Sequence, residues 1–161
     1  MRRPHFLTRT ADDMLSSHLY DQNTFFEAFH RDIRSCQREL IIESPFITEK
    51  RMAALLPTLR KLRKRGVRIL VNTRDPKEHN EMYEAQAAEA VTQMQALGIM
   101  VLYTAGHHRK LAIVDQKVIW EGSLNILSFS DSCEIMRKIT STTLAKQLVR
   151  FTAVDKYLKG A

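Results

Sequence analysis

The sequence predicts one α/β domain built on a βαβαβ unit with a parallel sheet, followed by a β-hairpin. Three observations lead to this. From residue 23 to residue 103, short apolar runs alternate with longer amphipathic stretches. Both of the long amphipathic stretches close on a glycine, Gly66 and Gly98. After Gly106 the helical period gives way to short β-forming runs. At 161 residues and 44% hydrophobic, the chain is long and apolar enough to bury a core.

Residues 1–22 are weakly periodic and form an arm of uncertain structure ahead of a domain at 23–161. From Asn23 a helix is expected, because Phe26, Phe29, Ile33 and Cys36 recur at three- and four-residue spacing. Leu40-Ile41-Ile42-Glu43-Ser44 reads as a buried strand stopped by Pro45. A second helix starts at Thr48 as N-cap and buries Met52, Leu55, Leu56, Leu59 and Leu62. It ends with Gly66 at C′, and Pro57 predicts a kink or an earlier break. Val67 to Val71 is the next strand, and Arg74-Asp75-Pro76-Lys77 the loop at its C-terminal end. Glu81 to Leu97 is an alanine-rich helix, and Ile99 to Tyr103 a third strand. Lys110–Val114 and Val118–Glu121 pair around Gln116-Lys117 as a hairpin. Leu124 to Asp131 is a loop or short helix, and Glu134 to Ile139 a further strand. The final helix, from about Ser141, carries the stripe Leu144, Leu148, Phe151, Val154 and Leu158.

The net charge of +7 favours a polyanionic partner, with solubility alone as the plainer meaning. Cys36 and Cys133 lie far apart with no metal-ligand spacing, which argues against a disulfide scaffold or structural zinc and for two buried thiols in a reducing compartment. No apolar run follows Arg2 and Arg3, and no stretch of about twenty apolar residues occurs. The expectation is a cytoplasmic protein with no membrane partner.

The chemistry concentrates in His107-His108-Arg109-Lys110-Leu111-Ala112-Ile113-Val114-Asp115 and Trp120-Glu121-Gly122-Ser123-Leu124-Asn125. Strand alternation puts His108 and Lys110 on one face with Ala112 and Val114. Asp115 lies an odd number of residues from His108, so a support role through a salt bridge or turn bond is expected rather than direct catalysis. The hairpin returns residues near 123 opposite residues near 110. That brings Ser123 and Asn125 to the His/Lys end.

These residues resemble the phospholipase D superfamily, whose signature is H-x-K-x(4)-D followed by G-S/G-x-N. His108, Lys110 and Asp115 fill the first part here, and Gly122, Ser123 and Asn125 the second. Glu134 matches an acid that follows the asparagine. The run Trp120 to Ser128 with Glu134-Ile135-Met136-Arg137 is similar to the superfamily's nuclease-like domains, including those fused to some DNA helicases. The similarity spans about residues 20–160, and its specific part lies within 107–138.

The resemblance implies a mixed, largely parallel sheet flanked by helices on both faces, an α-β-α sandwich. It also implies two-step phosphodiester hydrolysis. His108 attacks phosphorus, and a second histidine protonates the leaving oxygen and later activates water. Lys110 and Asn125, assisted by Ser123, bind the non-bridging oxygens, and Glu134 orients His108. No metal or other cofactor is implied. Most lipases and transferases of the superfamily carry two signatures per chain. One signature in a short chain resembles the bacterial endonucleases, in which two chains pair and His108 would meet His108 across a twofold axis.

The partner so implied is DNA, with RNA and single strands as variants, and a helicase-type partner or fusion is a further candidate. Arg74, Arg109 and Arg137 flank the strand ends and are candidate backbone contacts. Arg63 and Arg65 belong to a dense basic run whose plainer meaning is a solvated helix end. His5, His18, His30, His79 and His107 read as ordinary polar residues, with a place at the pocket entrance as the alternative for His107, and Trp120 as core. Two competing functions stand beside a DNA-cleaving phosphodiesterase. One is phospholipid hydrolysis or phosphatidyl transfer; the other is a non-catalytic DNA-binding or dimerisation module linked to a helicase system.

Overall fold

In the computed structural model the described residues are 17–129 and 131–158. Seven strands form one sheet: β1 (Ser17–Asp21), β2 (Glu39–Glu43), β3 (Arg68–Thr73), β4 (Met100–Tyr103), β5 (Leu111–Val114), β6 (Val118–Gly122) and β7 (Ile135–Thr140). Their order is β1-β7-β6-β5-β2-β3-β4. The helices are α1 (Phe25–Arg34), α2 (Glu49–Lys64), α3 (Glu81–Ala96), α4 (Thr142–Phe151) and α5 (Asp155–Leu158), with a 3-10 turn at Pro76–Glu78.

Each face of the sheet has its own core. On β2, Leu40 and Ile42 join α1, α2 and α3 through Phe29, Leu55, Leu59 and Met94. Ile41 turns the other way, towards Ala145 and Val149 of α4. All five β2 residues are buried, which explains why its centre, Leu40-Ile41-Ile42, reads as an apolar run and not an alternating one.

The expected mixed sheet is present, with helices on both faces. Its parallel part is β2-β3-β4, as the βαβαβ pattern requires. The antiparallel part extends further than the sequence suggests, because β5, β6 and β7 are joined at the edge by β1. Ser17–Asp21, within the arm whose structure the sequence leaves uncertain, is that edge strand; residues 1–16, including His5, lie outside the described residues. Five residues with alternating Leu19 and Tyr20 are too short to show a period in sequence. They become a strand by hydrogen bonding to β7.

Other expectations shift in detail. Helix α2 runs through Pro57 without a break. Gly66 and Gly98 have φ of +82° and +72°, the left-handed C′ geometry that ends α2 and α3. The final helix breaks at Ala153, whose φ is +57°, and Phe151 is 78% exposed rather than part of the apolar stripe. The rest of the stripe holds: Val154 is buried with Ala145 and Val149, and Leu144, Leu148 and Leu158 pack half-buried against them. Cys36 is buried as expected, whereas Cys133 is exposed. Trp120 is in the core; its Nε1 donates to Asp32 Oδ2 at 3.0 Å. Among the described residues no helix is long and apolar enough to cross a membrane.

Candidate active site

The pairing directions bring the C-terminal ends of β2, β3, β4 and β6 and the N-terminal ends of β5 and β7 to one edge of the sheet. Open α/β sheets bind ligands at this edge, where the strand carboxyl ends leave a crevice. The loops over it hold His108, Lys110, Ser123, Asn125 and Glu134.

His108 and Lys110 precede β5 and meet directly. The Lys110 ammonium donates to the His108 carbonyl at 2.7 Å and lies 3.1 Å from Nδ1 and 3.4 Å from Nε2 of the same residue. Burial, then the charge of Arg74, lowers the Lys110 pKa, while Glu134 pulls it back up. His108 is exposed and opens on a cleft of about 560 Å³ whose lining includes Arg109, Lys110, Glu121, Gly122, Ile135 and Arg137.

The hairpin brings its two ends together as the alternation argument requires. Leu111 pairs with Glu121, and the Gly122 N–H reaches the Lys110 carbonyl at 3.3 Å. The turn itself sits one residue earlier than expected. Asp115 and Gln116 are its central residues, both at φ +52°, closed by Lys117 N–H to Val114 O at 3.0 Å. Asp tolerates the left-handed region better than most side chains.

Asp115 therefore lies at the opposite end of β5 from His108. Its carboxylate accepts the N–H groups of Gln37, Arg38 and Glu39 at 2.9, 2.7 and 3.0 Å, and the Cys36 thiol at 3.4 Å. It ties the hairpin to the start of β2 and does not take part in the site.

Ser123 and Glu134 form a unit. The Ser123 hydroxyl donates to Glu134 Oε2 and accepts the Ile135 N–H at 3.0 Å, and Ser132 Oγ donates to the other carboxylate oxygen at 2.6 Å. Those two hydroxyls, and then the Lys110 charge, hold the Glu134 carboxyl below its usual range. Glu134 is bonded to Ser123 and acts on Lys110 through its charge. Asn125 faces a neighbouring cavity, and its Oδ1 is buried with no partner among the described residues.

The arginines separate into two groups. Arg63 donates to Val67 O at 2.7 Å and Leu97 O at 3.2 Å; Arg65 donates to the carbonyls of Arg34 and Cys36. Both lie at the far end of the sheet, closing helix and loop ends, so they are not phosphate contacts at this site. Arg74 is at the site edge, donating to His107 O at 2.7 Å. Arg109 pairs with Glu43, and Arg137 is exposed on the cleft.

Three supports had gone unread. Glu43, fully buried at the end of β2, holds Arg109 and lies 3.5 Å from Asn72 Nδ2. An acid ending an apolar strand run was the available signal. His107, read as ordinary, is 3% exposed with Nε2 3.9 Å from Glu43, and its pKa is pushed down to about 4 by burial and then by Arg109, Lys110, Arg74 and His108. Arg51 is buried over the Phe26 ring and donates to Ser128 O at 3.4 Å, anchoring the loop that carries Asn125.

Fold and side chains together define a class: one α-β-α domain with a single H-x-K-x(4)-D and G-S-x-N set, its working part gathered at the carboxyl edge of its parallel strands. A family model described as "Cardiolipin synthase, PLD-like domain" matches residues 29–154, and the chain belongs to this phospholipase D-like family. The family is of phosphodiesterase and phosphotransferase type. No curated protein matches. Among solved structures, Nuc from Salmonella typhimurium, a phospholipase D family member, superposes with TM-score 0.71 at 18% identity over 91% of this chain and 96% of that one. NucT from Helicobacter pylori gives 0.61 at 16% over 84% and 91%. Phosphatidylserine synthase from Haemophilus influenzae Rd KW20 gives 0.60 at 16% over 83% and 37%.

Proposed function

We propose that this chain is a metal-independent phosphodiesterase that hydrolyses nucleic acid, DNA in the first instance, with an active site completed by a second copy. The observation that carries this reading is the exposed His108 imidazole against the Lys110 ammonium, on an open cleft rimmed by Arg109 and Arg137. His108 of one copy attacks phosphorus and forms a phosphohistidine as the ester oxygen leaves. His108 of the other copy gives that oxygen its proton, then takes one from the water that releases the phosphate. An imidazole suits both roles because each protonation state exists near neutrality. Lys110 stabilises charge on the non-bridging oxygens, Ser123 holds Glu134 where its charge acts on Lys110, and Asn125 is the amide that the resemblance assigns to the same oxygens.

Exposed Leu19 and Ile135, 64% and 61% accessible beside the cleft, support pairing with a second chain. The free cysteines suit a cytoplasmic setting. The test combines oligonucleotide cleavage in EDTA, size measurement by light scattering, and His108→Ala. Wild-type cleavage in EDTA by a dimer, lost in the variant with an acid-labile phosphoprotein lost alongside it, is the expected result. Activity that needs magnesium, or that survives His108→Ala, overturns the scheme.

Lipid chemistry is the second reading, favoured by the family description and by the likeness to phosphatidylserine synthase. Headgroup release from phospholipid vesicles with intact oligonucleotides would select it. DNA binding with no cleavage would select a non-catalytic module, for which a helicase-type partner is the natural context.

A further inference from the structure

We infer that the cavity beside Asn125 receives an unpaired nucleobase of the strand whose phosphate lies at His108. The inference rests on the nucleic-acid reading above and adds a subsite to it. The cavity, of about 550 Å³, lies on the same edge of the sheet as His108. Its walls are Phe46 and Thr48 after β2, His79 and Tyr83 around the start of α3, and Asn125 and Phe129 after β6. Ser44 Oγ accepts the Leu127 N–H at 3.1 Å and Thr48 Oγ1 the Phe129 N–H at 2.9 Å, so the loop bearing Asn125 and Phe129 is fixed to the opposite wall.

Its chemistry selects the occupant. Two polar atoms there, His79 Nε2 and Asn125 Oδ1, are buried without a hydrogen-bond partner. Those atoms have no surface open to the cavity and lie behind its wall, so the faces that an occupant meets are the rings. Aromatic faces surround them. Tyr83 and Phe129 are 41% and 42% exposed, and Phe46 and His79 have ring centroids 5.1 Å apart. Cations sit on the outer side: Lys50 Nζ is 3.5 Å from the Phe129 ring centre and the Arg74 guanidinium 5.2 Å from that of Phe46. Glu78 on the cavity wall disfavours a phosphate inside. Flat rings with cations against them fit a heterocyclic base stacked inside with its backbone outside. Glu78 of the cavity wall accepts the Gly106 N–H at 3.2 Å, and Arg74, over the Phe46 ring, donates to His107 O at 2.7 Å, so the cavity adjoins the segment that carries His108.

The test separates base from phosphate. Binding of a short oligothymidylate is compared with that of an abasic strand of equal length, by fluorescence anisotropy on His108→Ala protein so that the strands stay intact. Stacking in the cavity predicts about tenfold tighter binding of the base-carrying strand. Tyr83→Ala and Phe129→Ala, both at exposed positions and checked by thermal melting, should each bring the ratio towards one. Equal binding of the two strands by the parent overturns the base subsite and leaves the phosphate reading standing. A ratio that survives both ring deletions also overturns it, because the base must then stack elsewhere. Failure to bind either strand sinks the nucleic-acid reading and this inference with it.

Discussion

Asp115→Asn separates the two kinds of residue within one signature. The carboxylate holds three backbone N–H groups and the Cys36 thiol at the far end of β5, away from His108. Asparagine keeps the shape and one acceptor oxygen, which can retain the Arg38 and Glu39 bonds made by Oδ1. It loses the charge and turns an NH2 group towards the Gln37 N–H that Oδ2 accepts. Hydrogen bonds to a charged acceptor contribute about 1.5–3 kcal/mol each, and the site is partly exposed, so the lower end applies. The expected loss is about 2 kcal/mol for Asn and about 4 kcal/mol for Ala, within the 5–15 kcal/mol typical of a folded domain. Urea unfolding followed by the buried Trp120 measures it. Turnover per folded molecule should stay within about twofold, since a distant positioning role carries no transition-state interaction.

The acid limb gives a second reading of the same group. Burial raises the Asp115 pKa, but the backbone N–H groups of Gln37, Glu39 and Arg38 outweigh it and the carboxyl titrates below its ordinary value. Its contribution is therefore fully present above the unfolded pKa of about 3.9 and is lost as pH falls through the folded one. Asp115→Asn should flatten that part of the stability profile. An unchanged urea midpoint with turnover down a hundredfold would refute this assignment and return Asp115 to the chemistry.

Four further outcomes follow from the same geometry. In Gly122→Ala the new Cβ would lie 2.1 Å from Ile135 O and 2.9 Å from Met136 Cα, so β6 and β7 must separate. A loss of about 3 kcal/mol is expected, with turnover reduced through Ser123, measurable by denaturation and cleavage assays together. His107 should stay neutral from pH 5 to 8 by NMR. Its pKa of about 4 lies below the unfolded 6.5, so stability present above 6.5 declines as pH falls towards 4, and a His107→Gln protein should lack that slope. A thiol reagent should label exposed Cys133 at once and Cys36 only on unfolding, since burial and then the Asp115 charge push the Cys36 thiol up to about 12. Arg137→Gln should reduce the salt dependence of DNA binding by about one unit of slope, whereas Arg65→Gln should lower stability and leave that slope unchanged.

What could be read in advance depended on whether a local pattern determines the outcome. His108 and Lys110 share a strand approach, and Ser123 returns through a hairpin whose ends are adjacent in sequence, so period and turn length bring them together. The same hairpin placed Asp115 beyond the strand end, because a side chain in a left-handed turn cannot alternate with the strand. β1 escaped notice because a five-residue edge strand is specified by its partner β7, more than a hundred residues away, and is too short to show a period of its own. Arg63 and Arg65 misled for a related reason. A basic run looks alike whether its guanidinium groups face solvent or cap carbonyls across the chain.

Sequence by itself determined the βαβαβ core, the helix ends at Gly66 and Gly98, the pairing of His108 with Lys110, and the resemblance that carried the family. These rest on spacings of a few residues, where backbone geometry leaves little choice. Tertiary structure alone decided that Glu134 holds Ser123, that Glu43 and His107 lie buried behind the signature, and that Asn125 lines an aromatic cavity. Each of those contacts joins residues from separate loops. Their meeting depends on how the strands are ordered across the sheet, which no local spacing encodes.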